Sequence, residues 1–338
     1  MHSFALGVGT KDSSGNWLEV FFPEPQLNPE AGAIAPALEA IGYQGGNQVI
    51  ELDAIQLEAL SSSSYADASH HLLSILKDSS RPLVAVILES DEKPTTVPEA
   101  YLKLHLLSHR LVKPHGLNLD GLFAVLPNVV WTSQGAIAID ELTGRQLQAR
   151  LNGETLDVQS VDKFPKMTNY VVPNGVRIAD TSRVRLGAYV GEGTTVMHEG
   201  FINFNAGTLG TAMIEGRISA GVVVGNNSDL GGGCSIMGTL SGGGKEIISV
   251  GEDCLIGANA GLGFPLGNRC TIEAGLYVSA GSKVTVMDSE LNQVDVVKAR
   301  DLANKNDLLF LRNSTTGVVE CRTNKSKVEL NAELHSHN

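Results

Sequence analysis

Glu215 and Arg217 are the residues whose types and spacing are best suited to chemistry in this 338-residue sequence. Glu215 directly follows the aliphatic Ile214, so strand alternation predicts that its side chain points outward, and Arg217 falls on the same outward side. A glutamate beside an arginine, on a stretch with few charges, indicates a catalytic base or nucleophile with a carboxylate-binding partner. A structural ion pair at a subunit interface explains the same spacing.

His198 is the one histidine between residues 178 and 284. It is therefore the sole histidine in this stretch that could act as a general base. A catalytic zinc site with three histidine ligands is excluded here because it would need two more histidines.

The same stretch repeats an aliphatic residue every six positions, which fits neither the 3.6-residue period of a helix nor simple strand alternation. The period favours a parallel β-helix of very short strands, in which each repeated residue points into a prism-shaped core. The series consists of Ile178, Val184, Val190, Val196, Ile202, Thr208, Ile214, Val224, Leu230, Ile236, Val250, Ile256, Leu262, Ile272, Val278 and Val284. Glycines directly follow several of these residues, where a side chain would crowd a corner or a positive φ would be required.

The repeat is interrupted after Ile214 and again after Ile236. The second interruption contains the sequence Ser-Gly-Gly-Gly-Lys-Glu at 241–246, which we expect to leave the prism as a flexible loop. Lys245 is followed by Glu246, whereas a phosphate-binding Walker loop needs Ser or Thr at that position. Beyond Val284, apolar segments at 296–300 and 308–314 predict strands that cap the open end of the prism.

Residues 1–165 carry no such repeat and mix strand and helix signals. Residues 17–22 and 83–88 are typical of strands, and residues 65–76 and 98–112 have helical spacing. Pro98 lies at the first turn of the second helix and Pro114 just after its end. The first half of the chain is therefore predicted to be an α/β domain.

The overall charge and the cysteine positions exclude several classes of protein. A net charge of −12 without a basic run argues against binding to nucleic acid or to an anionic membrane. The four cysteines, Cys234, Cys254, Cys270 and Cys321, have no CxxC spacing and are interpreted as buried thiols in a reducing compartment. No apolar run is long enough to span a bilayer, and the N-terminus lacks a signal peptide, so we expect a cytoplasmic protein.

Several motifs, in order along the chain, resemble the tetrahydrodipicolinate N-succinyltransferase family, specifically its longer-chain branch within the hexapeptide-repeat transferases. The resemblance is strong from about residue 165 onward and looser before it. The motifs that carry it are Met-His-Glu-Gly-Phe-Ile-Asn at 197–203, Gly-Thr-Leu-Gly at 207–210, Ile-Glu-Gly-Arg-Ile-Ser at 214–219, Ile-Met-Gly-Thr-Leu-Ser-Gly-Gly-Gly at 236–244 and Glu-Ala-Gly-Leu-Tyr-Val at 273–278.

The resemblance implies an α/β domain at 1–165, a left-handed parallel β-helix at 166–287 and a C-terminal β cap and tail at 288–338. It also implies a homotrimer with active sites between neighbouring prisms, succinyl-CoA as co-substrate and tetrahydrodipicolinate as acceptor. Glu215 matches the catalytic glutamate of the family, and Arg217 matches a residue that contacts acyl-CoA. The further matching acyl-CoA contacts are Gly232, Ser235, Ala258, Glu273, Ala274, Gly281, Lys298, Leu311, Arg312, Asn313 and Ser314.

Glu199 matches a position that, in related enzymes, places one carboxylate per subunit around the threefold axis to hold a divalent cation. Three carboxylates meeting there would repel one another without such an ion, which predicts an axial Mg²⁺. Some relatives have a second acid nearby, but Ser182 occupies that position here, with Asp180 two residues before it.

Two other functions are compatible with the sequence. One is an acetyl-CoA-dependent N-acetyltransferase that acts on the same or a similar amino acid. The other is a CoA-binding scaffold without catalysis, although a scaffold has no need to retain Glu215 and Arg217 together with Lys298 and Arg312.

Overall fold

The computed structural model describes residues 1–238 and 246–323, which form two compact units. The first unit comprises residues 1–112, 116–165 and 169–171, and the second comprises 113–115, 166–168 and the described chain from 172 onward. Residues 241–245 of the predicted loop at 241–246 and residues 324–338 of the predicted C-terminal cap and tail lie outside the described residues. The finer division predicted from the sequence, with boundaries at 165 and 287, stays a prediction.

The first unit is built on an antiparallel sheet with helices packed against it, as the α/β prediction expects. Its elements are β1 (Ser3–Lys11), β2 (Trp17–Phe21), β3 (Gln26–Leu27), α1 (Ala31–Ala40), β4 (Gln48–Glu51), α2 (Ala54–Ser62), α3 (Ala66–Leu76), β5 (Leu83–Leu88), α4 (Val97–Ser108), α5 (Leu122–Val125), β6 (Val129–Thr132), β7 (Gly135–Ala138), α6 (Leu142–Leu151) and β8 (Val158–Asp162). The larger sheet has the order β2-β1-β5-β4, and the smaller one has the order β7-β6-β8. Phe4, Leu6 and Ile87 of the larger sheet pack with buried residues of α1, α2 and α3.

Helix α4 shows how local sequence sets an element. The Thr96 side chain accepts a hydrogen bond from the Glu99 backbone N–H, and the Glu99 carboxylate accepts one from the Thr96 N–H, which satisfies two free donors at the helix start. The helix ends at Ser108, four residues before the predicted end at 112. Arg110 has a φ of 61°, a left-handed conformation that cannot continue a helix, so the predicted end was wrong.

The second unit is a parallel β-helix, as the six-residue period predicts. Its strands are β9 (Arg177–Ile178), β10 (Tyr189–Val190), β11 (Thr194–Val196), β12 (Phe201–Ile202), β13 (Gly207–Thr208), β14 (Ala212–Ile214), β15 (Arg217–Ile218), β16 (Val223–Val224), β17 (Ser228–Leu230), β18 (Ser235–Ile236), β19 (Ser249–Val250), β20 (Leu255–Ile256), β21 (Gly261–Gly263), β22 (Thr271–Ile272) and β23 (Tyr277–Ser279).

These strands stack in parallel register on three faces. The first face contains β9, β11, β14, β17, β20 and β22, the second contains β12, β15, β18, β21 and β23, and the third contains β10, β13, β16 and β19. Within one coil the chain passes from the first face to the second through a turn that we call the first corner.

The predicted core positions are confirmed. From Val184 to Val284 every member of the repeated series is at most 2 % exposed, and only Ile178, at the open N-terminal end, is half-buried. Burying one Val or Ile side chain contributes about 1.5 to 3 kcal/mol, and stacked coils share that burial. Thr208 is the polar member, and its hydroxyl is satisfied by the Gly191 N–H at 3.0 Å and the Thr194 hydroxyl at 2.7 Å.

Close stacking of coils explains the glycines that follow the core residues. A Cβ atom on Gly231 would lie 2.8 Å from the backbone nitrogen of Ala258 in the next coil, which is too close for a carbon atom. Among the two reasons predicted, crowding is the one that applies at Gly231, because its φ is not positive.

The four cysteine thiols are buried and free, as predicted for Cys234, Cys254, Cys270 and Cys321. Cys254 and Cys270 lie in adjacent coils, and the Cys270 backbone N–H donates to the Cys254 sulfur at 3.3 Å. The Cys254 thiol in turn donates to the Gly267 carbonyl at 3.2 Å. These thiols therefore fill corners of the prism and satisfy backbone groups there.

The C-terminal end of the prism is closed by four strands, β24 (Lys283–Met287), β25 (Gln293–Lys298), β26 (Leu308–Arg312) and β27 (Val319–Thr323). Strand β26 continues the first face by pairing in parallel with β22, and the Phe310 ring packs on the Phe264 ring at a centroid distance of 5.6 Å. Strands were predicted at 296–300 and 308–314. The first instead ends at Lys298, where a 3₁₀ turn (Ala299–Leu302) begins.

No helix among the described residues is both long and apolar enough to cross a membrane.

Candidate active site

A shortened first corner surrounds Glu215. Four residues, 197–200, connect the first and second faces in the coil before it, and four residues, 231–234, do so in the coil after it. Only Glu215 and Gly216 connect Ile214 to Arg217. Because the outer part of this corner is missing, the corners on either side overhang a notch in the wall of the prism.

The notch is a cavity of about 320 Å³. It is lined by Asp180, Arg183, His198, Glu199, Gly216, Arg217, Gly233 and Cys234. These residues come from four successive coils of one chain, so the notch is a property of the second unit alone. The sequence interruption after Ile214 is the signal of this notch, since a shift in the repeat marks a change in corner length.

Glu215 directly precedes the notch residue Gly216, is half-buried and is held by backbone hydrogen bonds of its N–H and carbonyl groups. Its N–H donates to the Leu230 carbonyl at 2.8 Å, and its own carbonyl accepts from the Gly233 N–H at 3.2 Å. A Cβ atom on Gly232 would lie 3.5 Å from Oε2 of Glu215. The Glu215 carboxylate therefore lies against the glycine-rich corner of the next coil.

Gly216 must lack a side chain for the short corner to close. A Cβ atom at this position would lie 2.7 Å from the Cys234 carbonyl oxygen and even closer to the Cys234 sulfur. The flanking hydrogen bonds, from the Phe201 N–H to the Gly216 carbonyl and from the Arg217 N–H to the Cys234 carbonyl, keep the corner in register. Glycine here is thus required by the packing that forms the notch.

Arg217 lies on β15 with its side chain directed outward on the second face. In the parallel register it is flanked by Phe201 in the preceding coil and by Ser235 in the following one. Its side chain is exposed. The sequence placed Glu215 and Arg217 on one outward strand face, whereas the structure places Glu215 in the corner and Arg217 on the strand after it, and of the two only Arg217 lines the notch.

Cys234 is the thiol among the residues that line the notch. Burial, together with the charges of Asp229 and Glu215, raises the pKa of its thiol to about 12. A thiol with that pKa carries almost no thiolate at neutral pH, and the thiolate is the nucleophilic form. Cys234 is therefore a weak nucleophile candidate, and Glu215 and His198 stay the predicted candidates in this region.

His198 and Glu199 lie on the overhanging corner before the notch. The His198 ring nitrogen Nε2 is 3.8 Å from Oε1 of Glu199, and both side chains are about two-thirds exposed or more, at 76 % and 67 %. Arg183 donates to the backbone carbonyls of Glu199 at 2.7 Å and Gly200 at 3.3 Å, which fixes this corner.

Asp180 and Arg183 were not predicted as site residues. They precede His198 and Phe201 by eighteen residues, which is one full coil of three hexads, and the strands confirm this spacing by pairing Arg177 with Thr195. Counting back one coil from each candidate could have found them. The Asp180 carboxylate accepts from the Ser182 N–H at 2.9 Å and from its hydroxyl at 2.6 Å.

Within the described ranges 1–238 and 246–323, no group of three His, Cys, Asp or Glu side chains is arranged to hold a metal ion. One chain supplies the Glu199 carboxylate, and the Ser182 hydroxyl already donates to Asp180. The residues of a single chain are therefore insufficient for a metal site.

Most residues matched to acyl-CoA contacts form a line along the first corner. Gly232, Ala258 and Ala274 occupy equivalent positions in three successive coils, as the pairing of β17, β20 and β22 shows. Arg312 continues this line one layer further, because β26 pairs with β22. The Arg312 N–H donates to the Glu273 carboxylate at 2.8 Å, which ties the last two layers together.

The segment that follows β26 is a tight loop organised by Asn313. Its side-chain oxygen accepts from the N–H groups of Thr315 and Thr316, both at 3.0 Å. Its amide nitrogen donates to Glu320 at 2.7 Å. Leu311 and Ser314 flank it, so the matched segment 311–314 lies at the end of the line along the first corner.

Gly281 and Lys298 do not lie on that line. Gly281 is in the turn between β23 and β24, and Lys298 is the last residue of β25. Ser235 lies on the second face, between the two groups. The predicted acyl-CoA residues are thus divided between two edges of the second face.

Two family models match the chain. The model described as "Tetrahydrodipicolinate N-succinyltransferase middle" matches residues 126–166, which contain β6, β7 and β8. The model described as "Hexapeptide repeat of succinyl-transferase" matches residues 247–280, within the β-helix.

Full-length relatives extend this likeness to the whole chain. A 2,3,4,5-tetrahydropyridine-2,6-dicarboxylate N-succinyltransferase from Pseudomonas putida is 62 % identical over 342 residues, covering 100 % of this chain and 99 % of the relative. The protein of the same name from Vibrio cholerae is 61 % identical over 343 residues, covering 100 % of both.

A solved structure shares the fold. It is a crystal structure from Campylobacter jejuni described as a 2,3,4,5-tetrahydropyridine-2-carboxylate N-succinyltransferase, with a TM-score of 0.86 and 32 % identity. The superposition covers 97 % of this chain and 93 % of that one. With the notch, the line of small residues and these full-length likenesses together, the chain belongs to the 2,3,4,5-tetrahydropyridine-2,6-dicarboxylate N-succinyltransferase family.

Proposed function

We propose that the chain transfers the succinyl group of succinyl-CoA to the amine of tetrahydrodipicolinate in its hydrated, ring-opened form, 2-amino-6-oxopimelate. The products are N-succinyl-2-amino-6-oxopimelate and CoA, on the route to diaminopimelate and lysine. The observation that carries the proposal is the position of Glu215 at the short first corner: its carboxylate lies beside Gly232 of the next coil, and the two residues after it, Gly216 and Arg217, line the notch.

Glu215 can act in either of two ways. As a nucleophile, its carboxylate oxygen attacks the thioester carbonyl, the C–S bond breaks and CoA leaves as a thiolate that takes up a proton. The substrate amine then attacks the resulting anhydride, the amide bond forms, Glu215 leaves as a carboxylate and the amine gives up its proton. As a base, Glu215 accepts the amine proton while the amine attacks the thioester directly.

The succinyl group carries a terminal carboxylate, which needs a cation beside the reacting carbon. Arg217 supplies a planar guanidinium that can bind a carboxylate through two parallel hydrogen bonds. It is exposed and sits one residue beyond the notch glycine, so it can reach a ligand held there. We assign Arg217 this role.

The line of small residues along the first corner would hold the pantetheine arm of CoA. From Glu215 to the Leu311 layer is four coil steps, which at strand spacing is about 19 Å. Along this line Gly232, Ala258 and Ala274 have no side chain larger than a methyl group. An extended arm could therefore lie against the backbone, with Arg312 at its end to meet a phosphate.

Because Gly281 and Lys298 lie at a different edge from this line, we propose that one acyl-CoA contacts both edges only between two copies of the chain. This supports a homotrimer with the active site between prisms. We also propose a left-handed coil and a cytoplasmic location, as the family resemblance implies. We propose no nucleic-acid or membrane partner, in keeping with the net charge of −12.

We propose that Glu199 of three copies would hold an axial Mg²⁺. One observation supports this fit: the Glu199 carboxylate is largely exposed, and among the described residues its ion-pair partner is His198 at 3.8 Å. The carboxylate is therefore free to meet its two symmetry copies in a trimer. The ion would neutralise the three converging carboxylates, and we assign it no step in the reaction.

The proposal is tested by a steady-state assay with succinyl-CoA and tetrahydrodipicolinate, followed through release of free thiol. We expect turnover with succinyl-CoA and little with acetyl-CoA, since acetyl lacks the carboxylate that Arg217 would bind. Preference for acetyl-CoA would establish the acetyltransferase alternative. No turnover, together with no CoA binding by calorimetry, would contradict the proposal and exclude the CoA-binding scaffold as well, whereas CoA binding without turnover would support that scaffold.

Glu215→Gln tests the catalytic residue. We expect a loss of about 10²- to 10⁴-fold in kcat with an unchanged oligomeric state, as for removal of a base or nucleophile. Glu252→Gln, an exposed glutamate on another corner, is the matched control and should leave kcat unchanged. Near-normal turnover of Glu215→Gln would exclude Glu215 as the catalytic group.

A further inference from the structure

Two lysines lie directly opposite each other at the C-terminal end of the prism. Strands β24 and β25 are antiparallel, and their register pairs Lys283 with Lys298. The next pair, Val284 with Val297, points into the protein, and Val284 is fully buried. Both lysine side chains are therefore on the outer side of the hairpin, and both are exposed.

Such a pair is unfavourable in the absence of a ligand. Side chains directly opposite each other in an antiparallel pair have Cβ atoms roughly 4.5 to 5.5 Å apart, and like charges at that spacing destabilise the sheet. Lys298 matches a family acyl-CoA contact, whereas Lys283 was not among the residues matched.

Arg300 adds a third cation to the same place. Its N–H and its Nε donate to the Ala280 carbonyl at 3.1 and 3.4 Å, so its guanidinium lies beside the turn that contains Gly281. The backbone of the same turn is joined to the 3₁₀ segment by the Ala299 N–H, which donates to the Ser282 carbonyl at 2.9 Å. The three cations are thus attached to one small framework.

Nearby carboxylates do not neutralise the three cations. Asp301 lies closest in sequence, and its carboxylate accepts from the Lys298 backbone N–H at 3.0 Å. Within residues 1–238 and 246–323, no ion pair joins a carboxylate to Lys283, Lys298 or Arg300. In a protein with a net charge of −12, this is a local concentration of positive charge.

We infer that Lys283, with Lys298 and Arg300, forms a binding site for the phosphate groups at the nucleotide end of acyl-CoA. The inference rests on the proposed function and adds two cations to the one that the family resemblance supplied. An anion placed between Lys283 and Lys298 converts their repulsion into attraction, and three donors match the oxygens of a phosphate. Lys283 and Arg300 are binding residues here and take no part in the chemical step.

The test compares three thioesters on the full-length protein: succinyl-CoA, succinyl-dephospho-CoA, which lacks the 3′-phosphate, and succinyl-pantetheine, which lacks every phosphate on the nucleotide side. For Lys283→Gln we expect KM for succinyl-CoA to rise about five- to tenfold, as for loss of one exposed charge-assisted contact. The kcat and the KM for succinyl-pantetheine should stay unchanged.

Lys305→Gln is the matched control, because Lys305 is an exposed lysine of the same C-terminal region and its replacement changes the net charge equally. It should leave all three KM values unaltered. Arg300→Gln is a second variant, expected to behave like Lys283→Gln. If Lys283→Gln leaves the KM for succinyl-dephospho-CoA unchanged, the site binds the 3′-phosphate. If Lys283→Gln raises that KM, the site binds the pyrophosphate.

Two results would overturn the inference. One is an unchanged KM for succinyl-CoA in both variants. The other is an equal rise for succinyl-pantetheine, which would show that the residues act through the structure and not on phosphate. Wild-type turnover with succinyl-CoA keeps the proposed function intact in either case, and its absence would instead show that the proposed function had failed.

Discussion

Ile214 and Ile218 both point into the core of the prism although only three residues separate them. Both are fully buried, on the first and second faces respectively. Elsewhere on these two faces the step from one core residue to the next is six residues, as from Leu230 to Ile236. The missing two residues are what opens the notch beside Glu215.

Restoring the missing residues should close the notch. We expect insertion of Gly-Ser between Glu215 and Gly216 to lower kcat/KM by about 100-fold or more, since small displacements of catalytic groups have effects of that size. The core residues keep their positions, so Tm should change by less than about 4 °C. The same dipeptide inserted between Ser289 and Glu290, in an exposed turn, is the control. Wild-type kcat/KM in the Glu215 insertion would show that the notch is not the active site.

The uncovered surface at Gly232 should be needed for acyl-CoA. A Cβ atom there would make an ordinary contact with the Glu215 carboxylate at 3.5 Å, so Gly232→Ala should fold and change KM little. Gly232→Val adds two methyl groups in the path of the pantetheine arm. We expect it to raise KM for succinyl-CoA about tenfold or more, equivalent to about 1.4 kcal/mol of binding. Equal KM values for the Gly232→Ala and Gly232→Val variants would argue against this path for the pantetheine arm.

His105 should make the stability of the first unit depend on pH. Its ring is fully buried, with Nδ1 on the Tyr101 carbonyl at 2.8 Å and Nε2 accepting from the Phe22 N–H at 3.2 Å. Burial is the main cause that lowers its pKa to about 3, so the folded protein holds the ring neutral. The unfolded chain takes up that proton below about pH 6.5.

The contribution of neutral His105 to the free energy of unfolding is therefore complete above pH 6.5, and it is lost as the pH falls from 6.5 towards 3. Between pH 6.5 and 5 the loss is about 2 kcal/mol. Burial also raises the pKa of Glu19. The contribution of Glu19 to stability therefore has the opposite pH dependence: it is present at low pH and is lost as the pH rises through the pKa of Glu19 in the folded protein. Chemical denaturation at several pH values should show a smaller pH slope for His105→Gln than for wild type. His70→Gln, on an exposed helix position, should keep the wild-type slope, and an unchanged slope in His105→Gln would contradict the assignment.

A divalent cation should stabilise the assembled protein through Glu199. If three copies of this carboxylate meet, Mg²⁺ at 100 times its Kd would add about 2.7 kcal/mol to the stability of the assembly. We expect EDTA-treated protein to regain several degrees of Tm on addition of millimolar Mg²⁺, and Glu199→Gln to show no such response. An identical Tm with and without Mg²⁺ in wild type would mean that the axial site is absent.

The sequence predicted the β-helix and its core accurately because a period of six is local. Each Val or Ile of the series needs only its own coil to place it inward, and neighbouring coils then repeat the arrangement. Ile218 and Leu266 are buried core residues that the series did not include, because each follows its predecessor by four positions. A fixed period of six predicts only the core residues that keep that spacing, so it misses core residues that follow a shorter step.

The candidate site was only partly predictable for a related reason. Glu215 and Arg217 could be chosen from their types and from the family resemblance. Cys234 could not, since its relevance depends on which coils stack beside the short corner, whereas Arg183 could have been found by counting one coil back from Phe201. The end of α4 was also misplaced, because the residues up to Val112 are compatible with a helix and the left-handed Arg110 leaves no distinct signal in the sequence.

By itself, the sequence determined the repeating prism, the α/β first unit, the buried thiols and the catalytic candidate, because each follows from residue type and spacing along one stretch of chain. Only the tertiary structure decided that Glu215 lies in a short corner beside a notch that Arg217 lines, that the acyl-CoA residues divide between two edges, and that Lys283 faces Lys298. These relationships join residues a coil or more apart, and strand register, which sets them, arises only when the coils stack.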